Sequence, residues 1–483
     1  MGLLGILVAL SLLVWLAYRG WSILLLAPAA AILAAGWAGE PLLAHWTQTF
    51  MGSAARFVMQ FFPIFLLGAL FGKLMEDSGS VSSIADFMTR RLGPSRAVLA
   101  VVLAGALVTY GGVSLFVAFF VLAPMAHALF RAGKIPRRLM PAAIALGTST
   151  FTMSALPGTP AIQNAIPMPF FGTTPFAAPG LGLIASVVML GFGLWWLARV
   201  EAAARARGEG YGDKAEPDAP RDVDLVVRER ATTAGSFDPA EIRHGEVSAT
   251  NPPIALAVLP LAIVVGVNLL MSLYVLPRLN ASWLADESWG STSLSAVGGV
   301  WAVVTALAAA IAALVALNFK RLPDLRGSMD AGANASALPV LSVASLVGFG
   351  SVIAALPAFD MVREWVLGIE GGPLVSLAVA TNVLASLTGS ASGGLTIALD
   401  ALGDTYMKLA AEQGIDPGLL HRVAVIGAGT LDSLPHNGAV VTLLAVCNST
   451  HRESYFDIVM VSIVGGLLAL VAVIGLGTAF GSF

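Results

Sequence analysis

The chain has 483 residues, 57% hydrophobic and only 11% charged, against roughly 25% charged in an ordinary soluble protein. Net charge is −3 and there is one cysteine, Cys447. A soluble globular domain, an internal disulfide and a cysteine metal cluster are excluded, and no basic surface suggests nucleic acid. The chain reads as an all-α polytopic membrane protein.

Met1–Leu16 is apolar, with no basic leader region and no clear cleavage site, and reads as a retained first helix. Runs long enough to span, about 20 residues each, follow at 2–18, 21–39, 57–75, 139–157, 179–198, 252–277, 292–318, 335–356, 419–447 and 456–480. Two apolar regions, 97–130 and 372–403, are interrupted by Gly/Ser/Thr clusters and are expected to be re-entrant hairpins. With neither hairpin crossing, 21 of the 26 Lys and Arg fall on one side, Lys73 among them. Only Arg56, Arg278, Arg363, Lys408 and Arg422 are assigned to the other. The positive-inside rule makes the first side cytoplasmic and puts both termini outside. The polar stretch 199–251, with 8 basic and 11 acidic residues, reads as a flexible cytoplasmic linker between two halves.

Those halves look like repeats. Ser154-Ala-Leu-Pro-Gly-Thr-Pro-Ala161 lies over Asp432-Ser-Leu-Pro-His-Asn-Gly-Ala439, and Gly105–Gly112 over Leu384–Gly394. The first hairpin is flanked by Arg96 and Arg131–Arg138, the second by acidic 360–370 and 404–416, so they are expected to enter from opposite sides as inverted repeats. The implied division is 1–96 scaffold helices of the first half, 97–198 first hairpin and transport helices, and 199–251 linker. Then come 252–371, scaffold of the second half, and 372–483, second hairpin and transport helices.

Each half carries a proline-broken helix, and interrupted spans at matching places in two halves point to a transporter's binding site. Prolines release backbone N–H and C=O groups, which membrane depth tolerates only inside protein or beside a wet cavity. Four polar clusters result. The first tip offers Thr109, Gly111, Gly112 and Ser114, and the first break Gly158, Thr159, Gln163 and Asn164. The second tip offers Ser390, Ser392, Gly393 and Thr396, and the second break Asn437. Glycines admit close backbone approach, and helices starting at such turns aim N–H groups and a positive dipole end at the turn. A small carboxylate fits, held by N–H groups and hydroxyls without lysine or arginine. Close helix packing through Gly, Ser and Thr is the competing explanation for any one cluster. A carboxylate at helix centre is disfavoured by about 3 kcal/mol, so Asp432, with His436, is the expected proton site and Asp400 a further candidate. Helix capping for Asp432 and a near-surface position for Asp400 are the alternatives. His127 and 167–175 are read as structural. No HExxH, Walker loop or dinucleotide fingerprint occurs, so neither enzyme activity nor a cofactor is expected.

At Leu156–Pro167, Thr109–Leu115 and Thr388–Gly394 the chain resembles the gluconate permease (GntP) family of organic-anion:proton symporters, within a wider ion-transporter superfamily. Gly158-Thr-Pro160 matches the start of a break motif in that superfamily's dicarboxylate carriers, with Asn164 offset. The resemblance implies an elevator-type homodimer in the inner (plasma) membrane. It also implies a scaffold that holds the dimer and a moving part with both hairpins and both breaks. The hairpin-tip Ser-Asn-Thr triplets of sodium-coupled relatives are missing, which favours protons, with sodium still possible. The reading is a proton-coupled symporter of a sugar acid or hydroxy-monocarboxylate. The alternative is a cation/proton antiporter of the same architecture using Asp400 and Asp432, and a third reading is a channel.

Overall fold

The computed structural model describes residues 2–212 and 225–483, and among them every regular element is helical. In chain order these are α1 Gly2–Tyr18, α2 Ile23–Ala38, α3 Leu42–Asp77, α4 Ser80–Leu92, α5 Ala97–Tyr110 and α6 Leu115–Ala132. Next come α7 Met140–Thr148, the short turns Phe151–Ser154, Ile162–Ala165 and Pro167–Phe171, and α8 Pro179–Ala206. Then α9 Leu225–Ala234, α10 Ile254–Arg278, α11 Leu294–Arg321, α12 Leu325–Ala355 and α13 Phe359–Leu367. The chain ends with α14 Gly372–Thr388, α15 Ala391–Gln413, α16 Pro417–Thr430, α17 Gly438–Val446 and α18 His451–Phe480.

Seven of these are long and apolar enough to cross a membrane, or eight if the α4–α5 pair, bent by 100°, counts as one. That bend was not expected. Residues 78–96 fall between the expected span 57–75 and the first hairpin, and there Val81, Ile84 and Ala85 bury one face of α4 while Arg90 and Arg91 stay out. Gly93 then breaks the helix before Pro94. α3 has 36 residues, about 54 Å of rise, more than a bilayer core of about 30 Å. It carries a π turn at His45–Phe50 and Pro63 inside it. α3 packs on α12, so a helix of the expected first-half scaffold touches one of the second half directly.

Both interrupted regions are antiparallel hairpins. In the first, a Cβ on Gly133 would lie 2.7 Å from the Pro94 carbonyl, so the ends of its two limbs adjoin. In the second, Ser376 Oγ and Tyr406 Oη meet at 2.7 Å between the limbs. The basic segments converge on one end of the molecule. There Arg138 binds Glu209 at 2.8 Å and Asp457 at 2.9 Å, and Arg205 donates to the Gly133 carbonyl at 3.2 Å. Trp283, Trp289 and Trp301 cluster elsewhere, between and beside α10 and α11, as an interfacial belt would.

One expectation fails here. Residues 225–242 are not a loose tether: Ala231, Thr232, Thr233, Phe237 and Asp238 are all buried, while 243–251 is mostly exposed. Composition hid this because, Phe237 apart, the buried positions are small or paired, as with Asp238 and Arg228 at 2.8 Å. Of the rest of the expected linker, 199–206 continues α8 as helix, and 213–224 lies outside the described residues.

Candidate functional site

Gly111 and Gly112 end α5, Gly112 at φ +101°, where a side chain would be strained. Ser114 caps α6, its Oγ accepting from the Phe116 N–H at 3.3 Å. A Cβ on Gly112 would lie 2.8 Å from Pro160 Cγ, and Tyr110 Oη donates to the Pro157 carbonyl at 2.9 Å. The first tip therefore rests on the first break.

The carbonyls opened by that break are taken up by buried side chains. Asn268 Nδ2 donates to Gly158 O at 2.9 Å, and Asn164 Nδ2 to Thr159 O and Pro175 O at 3.0 and 3.1 Å. Asn164 Oδ1 accepts from His421 Nε2 at 3.1 Å and Arg422 Nη1 at 3.4 Å, which leaves His421 Nδ1 to accept from Thr173 Oγ1 at 2.7 Å. Arg422 also donates to Ser154 O at 3.3 Å and twice to Ala177 O, at 3.3 and 2.7 Å. Arg422, counted with the charges of the non-cytoplasmic side, is fully buried, with no acidic partner among the described residues. The free carbonyls of the broken segment solvate its guanidinium in place of water. Arg422, His421 and Asn268 were missed as site residues. The signal was present, since His421 and Arg422 fall inside the expected span 419–447.

The second tip and break interlock as closely. Gly389, at φ +64°, ends α14, and Ser390 caps α15 by accepting from the Gly393 N–H at 3.1 Å. Asn437 Nδ2 donates to Gly389 O at 2.8 Å and to Asp432 Oδ1 at 2.6 Å, and its Oδ1 accepts from the Ala439 N–H at 2.6 Å. Asp432 also meets the Ala391 N–H at the start of α15. His436 Nε2 faces Ser386 O at 3.2 Å.

Two cavities lie among these parts. The first, about 40 Å³, is lined by Thr109, Gly112, Ser114, Ala161, Gln163 and Ser236 among others, with no charged side chain. That space suits a few waters, at about 10–15 Å³ each, and is too small for an organic acid. Gln163 is 3% exposed and its Nε2 has no hydrogen-bond partner. The second, about 20 Å³, is bounded by Ser149, Asp432, Ser433 and Asn437. Leu115 and Met153 line both cavities, so one wall separates them.

Among the anticipated residues, Thr109, Gly112, Ser114 and Gln163 border the first cavity, and Asp432 and Asn437 the second. Others are engaged elsewhere. The Thr396 hydroxyl donates back to Ser392 O at 2.7 Å, as the Thr109 hydroxyl, though at the cavity wall, does to Gly105 O at 2.8 Å. Thr159 Oγ1 accepts from the Ala161 N–H at 3.4 Å, and Ser392 Oγ meets Ser390 Oγ at 3.2 Å. Gly111, Gly158 and Gly393 pack on Leu261, Phe176 and Leu346. Asn164, expected to meet substrate, is saturated by the break. Asp400 takes the near-surface alternative: it is exposed and bonds Ser351, about 14 Å along α15 from Ala391. The helix register carries it away from the tip that Asp432 touches, so the two carboxylates form no pair.

A family profile described as GntP family permease matches residues 1–170. The chain is 40% identical over 485 residues to the "Uncharacterized transporter YxjC" of Bacillus subtilis (strain 168), covering 99% of each. A shorter likeness, 36% over 106 residues and 21% of this chain against 23% of the other, links it to the "High-affinity gluconate transporter" of Escherichia coli (strain K12). Among solved structures it resembles the YdaH transporter of Alcanivorax borkumensis, with TM-score 0.52, 17% identity and 91% and 89% of the two chains covered. It also resembles Neisseria gonorrhoeae MtrF, with TM-score 0.52, 13% identity and 91% and 85% covered. These two likenesses concern the fold alone.

Proposed function

Because the chain belongs to the GntP permease family and is a multi-pass membrane transporter, we propose that it is a proton-coupled symporter of a small organic acid anion. Gluconate-like sugar acids and hydroxy-monocarboxylates are the substrate class. The observation that carries this reading is the first cavity. It is a neutral, buried space between a hairpin tip and a broken helix, with the unpartnered Gln163 amide in its wall. Ser114 and the N-terminus of α6 supply hydroxyl and N–H donors there, and Gln163 Nε2 a further donor. Such donors suit a carboxylate and its neighbouring hydroxyl.

Asp432 is the proposed proton site. Asn437 ties it to Gly389 and its oxygen meets the start of α15, so its charge state bears on both the second tip and the second break. His436 assists from beside Gly389. The paired tips and breaks support two inversely inserted repeats. With a resting cavity too small for its solute, they also favour an elevator movement of hairpins and breaks against a dimeric scaffold.

Proteoliposome uptake of labelled gluconate, 3-hydroxybutyrate, lactate and citrate, under separate proton and sodium gradients, tests the reading. Asp432→Asn should abolish uptake driven by a proton gradient while leaving solute exchange measurable. Undiminished proton-driven uptake in that variant removes Asp432 from coupling. Saturable uptake driven by sodium alone removes the proton.

A further inference from the structure

We propose that residues 225–251, joining the two halves, form the cytoplasmic gate of this carrier. The proposal rests on the reading of the first cavity as the solute site. α9 does not lie on the surface as a polar linker should. Ser390 Oγ, at the second tip, donates to the Thr233 carbonyl at 2.9 Å. Gly438, opening the helix after the second break, abuts the Arg230 carbonyl, where a Cβ would come within 2.0 Å. Gly235 abuts the Phe116 ring at the start of α6, where a Cβ would come within 2.1 Å. Gly235 and Ser236 themselves line the first cavity. One segment thus touches both hairpins and the second break and walls the cavity.

Its ends are fastened to other parts of the same face. Ser22 Oγ, in the α1–α2 turn, donates to Glu229 Oε1 at 2.8 Å. The Asp238 N–H donates to Ala335 O at 2.8 Å. Farther on, the buried Lys73 donates to Ile242 O at 2.8 Å, and the Ser248 N–H to Asp77 O at 2.7 Å. The two regions are held differently. Residues 237–248 are anchored by the fully buried Phe237 and by bonds to their backbone, and Asp238 reaches back to pair with Arg228 of α9. α9 is seated through backbone carbonyls and small side chains such as Ala231 and Thr233, which bury little apolar area. Elements of that kind open locally at low free energy. The arrangement is a strap rooted at 237–248, whose α9 end is held by a few polar bonds and leads into the residues that wall the cavity.

The test uses the full-length protein carrying Cys447→Ser, which removes its one thiol. In the first arm, Ala231→Cys is labelled from the cytoplasmic side with a membrane-impermeant maleimide and compared with Arg326→Cys. The Arg326 side chain is 92% exposed. A seated gate predicts labelling at least tenfold slower at 231. Equal rates would overturn the proposal. In the second arm, Ser22→Cys and Glu229→Cys are joined by a short reducible cross-linker, and neither residue borders the solute cavity. Tethering should lower labelled gluconate uptake at least tenfold, with recovery on reduction, and undiminished uptake would overturn the gate. The labelling arm needs no solute, so failure of the uncross-linked protein to take up gluconate counts against the proposed function and not against the gate.

Discussion

Neighbouring Gln163 and Asn164 have opposite expected phenotypes. Asn164 is fully buried and makes four hydrogen bonds, donating to Thr159 O and Pro175 O and accepting from His421 and Arg422. Asn164→Leu keeps the volume and strips all four. Each orphaned buried group costs about 1–3 kcal/mol, and Arg422 and the carbonyls retain some other partners. A net loss of about 3 kcal/mol is the expected outcome, a shift of more than a hundredfold in the opening equilibrium. Gln163 offers the contrast, since its Nε2 has no protein partner to lose. Gln163→Leu should leave stability within about 0.5 kcal/mol. Its loss should appear in transport, where a bond to a charged solute is worth about 1.5–3 kcal/mol, raising KM roughly tenfold to a hundredfold. The single buried Cys447 supplies the stability assay, because a thiol-reactive dye reports its exposure without engineering. The reasoning is refuted if Asn164→Leu labels at the parent rate, or if Gln163→Leu is the less stable of the two.

Three further outcomes follow from single positions. Gly112→Ala forces a Cβ into a φ of +101° and within 2.8 Å of Pro160. Strain of about 1–3 kcal/mol at the tip should cut initial uptake about fivefold or more, whereas Gly191→Ala, with open space around it, should not. Arg422→Lys keeps a cation but loses the planar fork that reaches Ser154, Ala177 and Asn164 together, so faster Cys447 labelling is expected, and an unchanged rate would argue against the fork. Hydrogen bonding to Arg138 holds Glu209 below its ordinary value of 4.5. A lowered folded-state value means that its contribution is present above pH 4.5 and fades as pH falls through that lowered value. Glu209→Gln should flatten this part of the stability profile, by less than about 1 kcal/mol since the pair is partly solvated. An unchanged acid limb would refute the assignment.

The periodic and punctuated parts of the fold were legible. Long apolar runs announced spans, glycine clusters announced both tips, and Pro157, Pro160 and Pro435 announced both breaks, because each acts through local backbone sterics. Residues acting at long range were not. Asn268 reads as one amide in an apolar helix, and only the fold brings it to the Gly158 carbonyl, 110 positions away. Arg422 was counted with the charges of the non-cytoplasmic side, since a sequence shows a cation but not the ring of carbonyls that replaces its water. Residues 225–242 deceived for a related reason. Low hydrophobicity argues against an independent core, yet it does not prevent a segment from filling a groove made by others.

The buried cation also bears on the proposed coupling. Arg422 and Asp432 lie ten residues apart on α16 and the turn after it, about 15 Å of helical rise. At that distance, with an effective dielectric near 20, two unit charges interact by roughly 1 kcal/mol. An ionised Asp432 balances Arg422, and a protonated one leaves the core with an excess positive charge that an incoming anion offsets. Proton and anion binding then favour each other, and by linkage the preference is reciprocal. The interaction of this pair is present with or without solute, so by itself it does not couple proton to anion. The larger share of the coupling has to arise at short range, where Asn437 joins Asp432 to Gly389 and where the start of α15 meets the carboxylate. Protonation there alters hydrogen bonds that hold the second tip closed on the second break. Strict coupling is therefore expected to depend on Asn437 more than on the charge of Arg422.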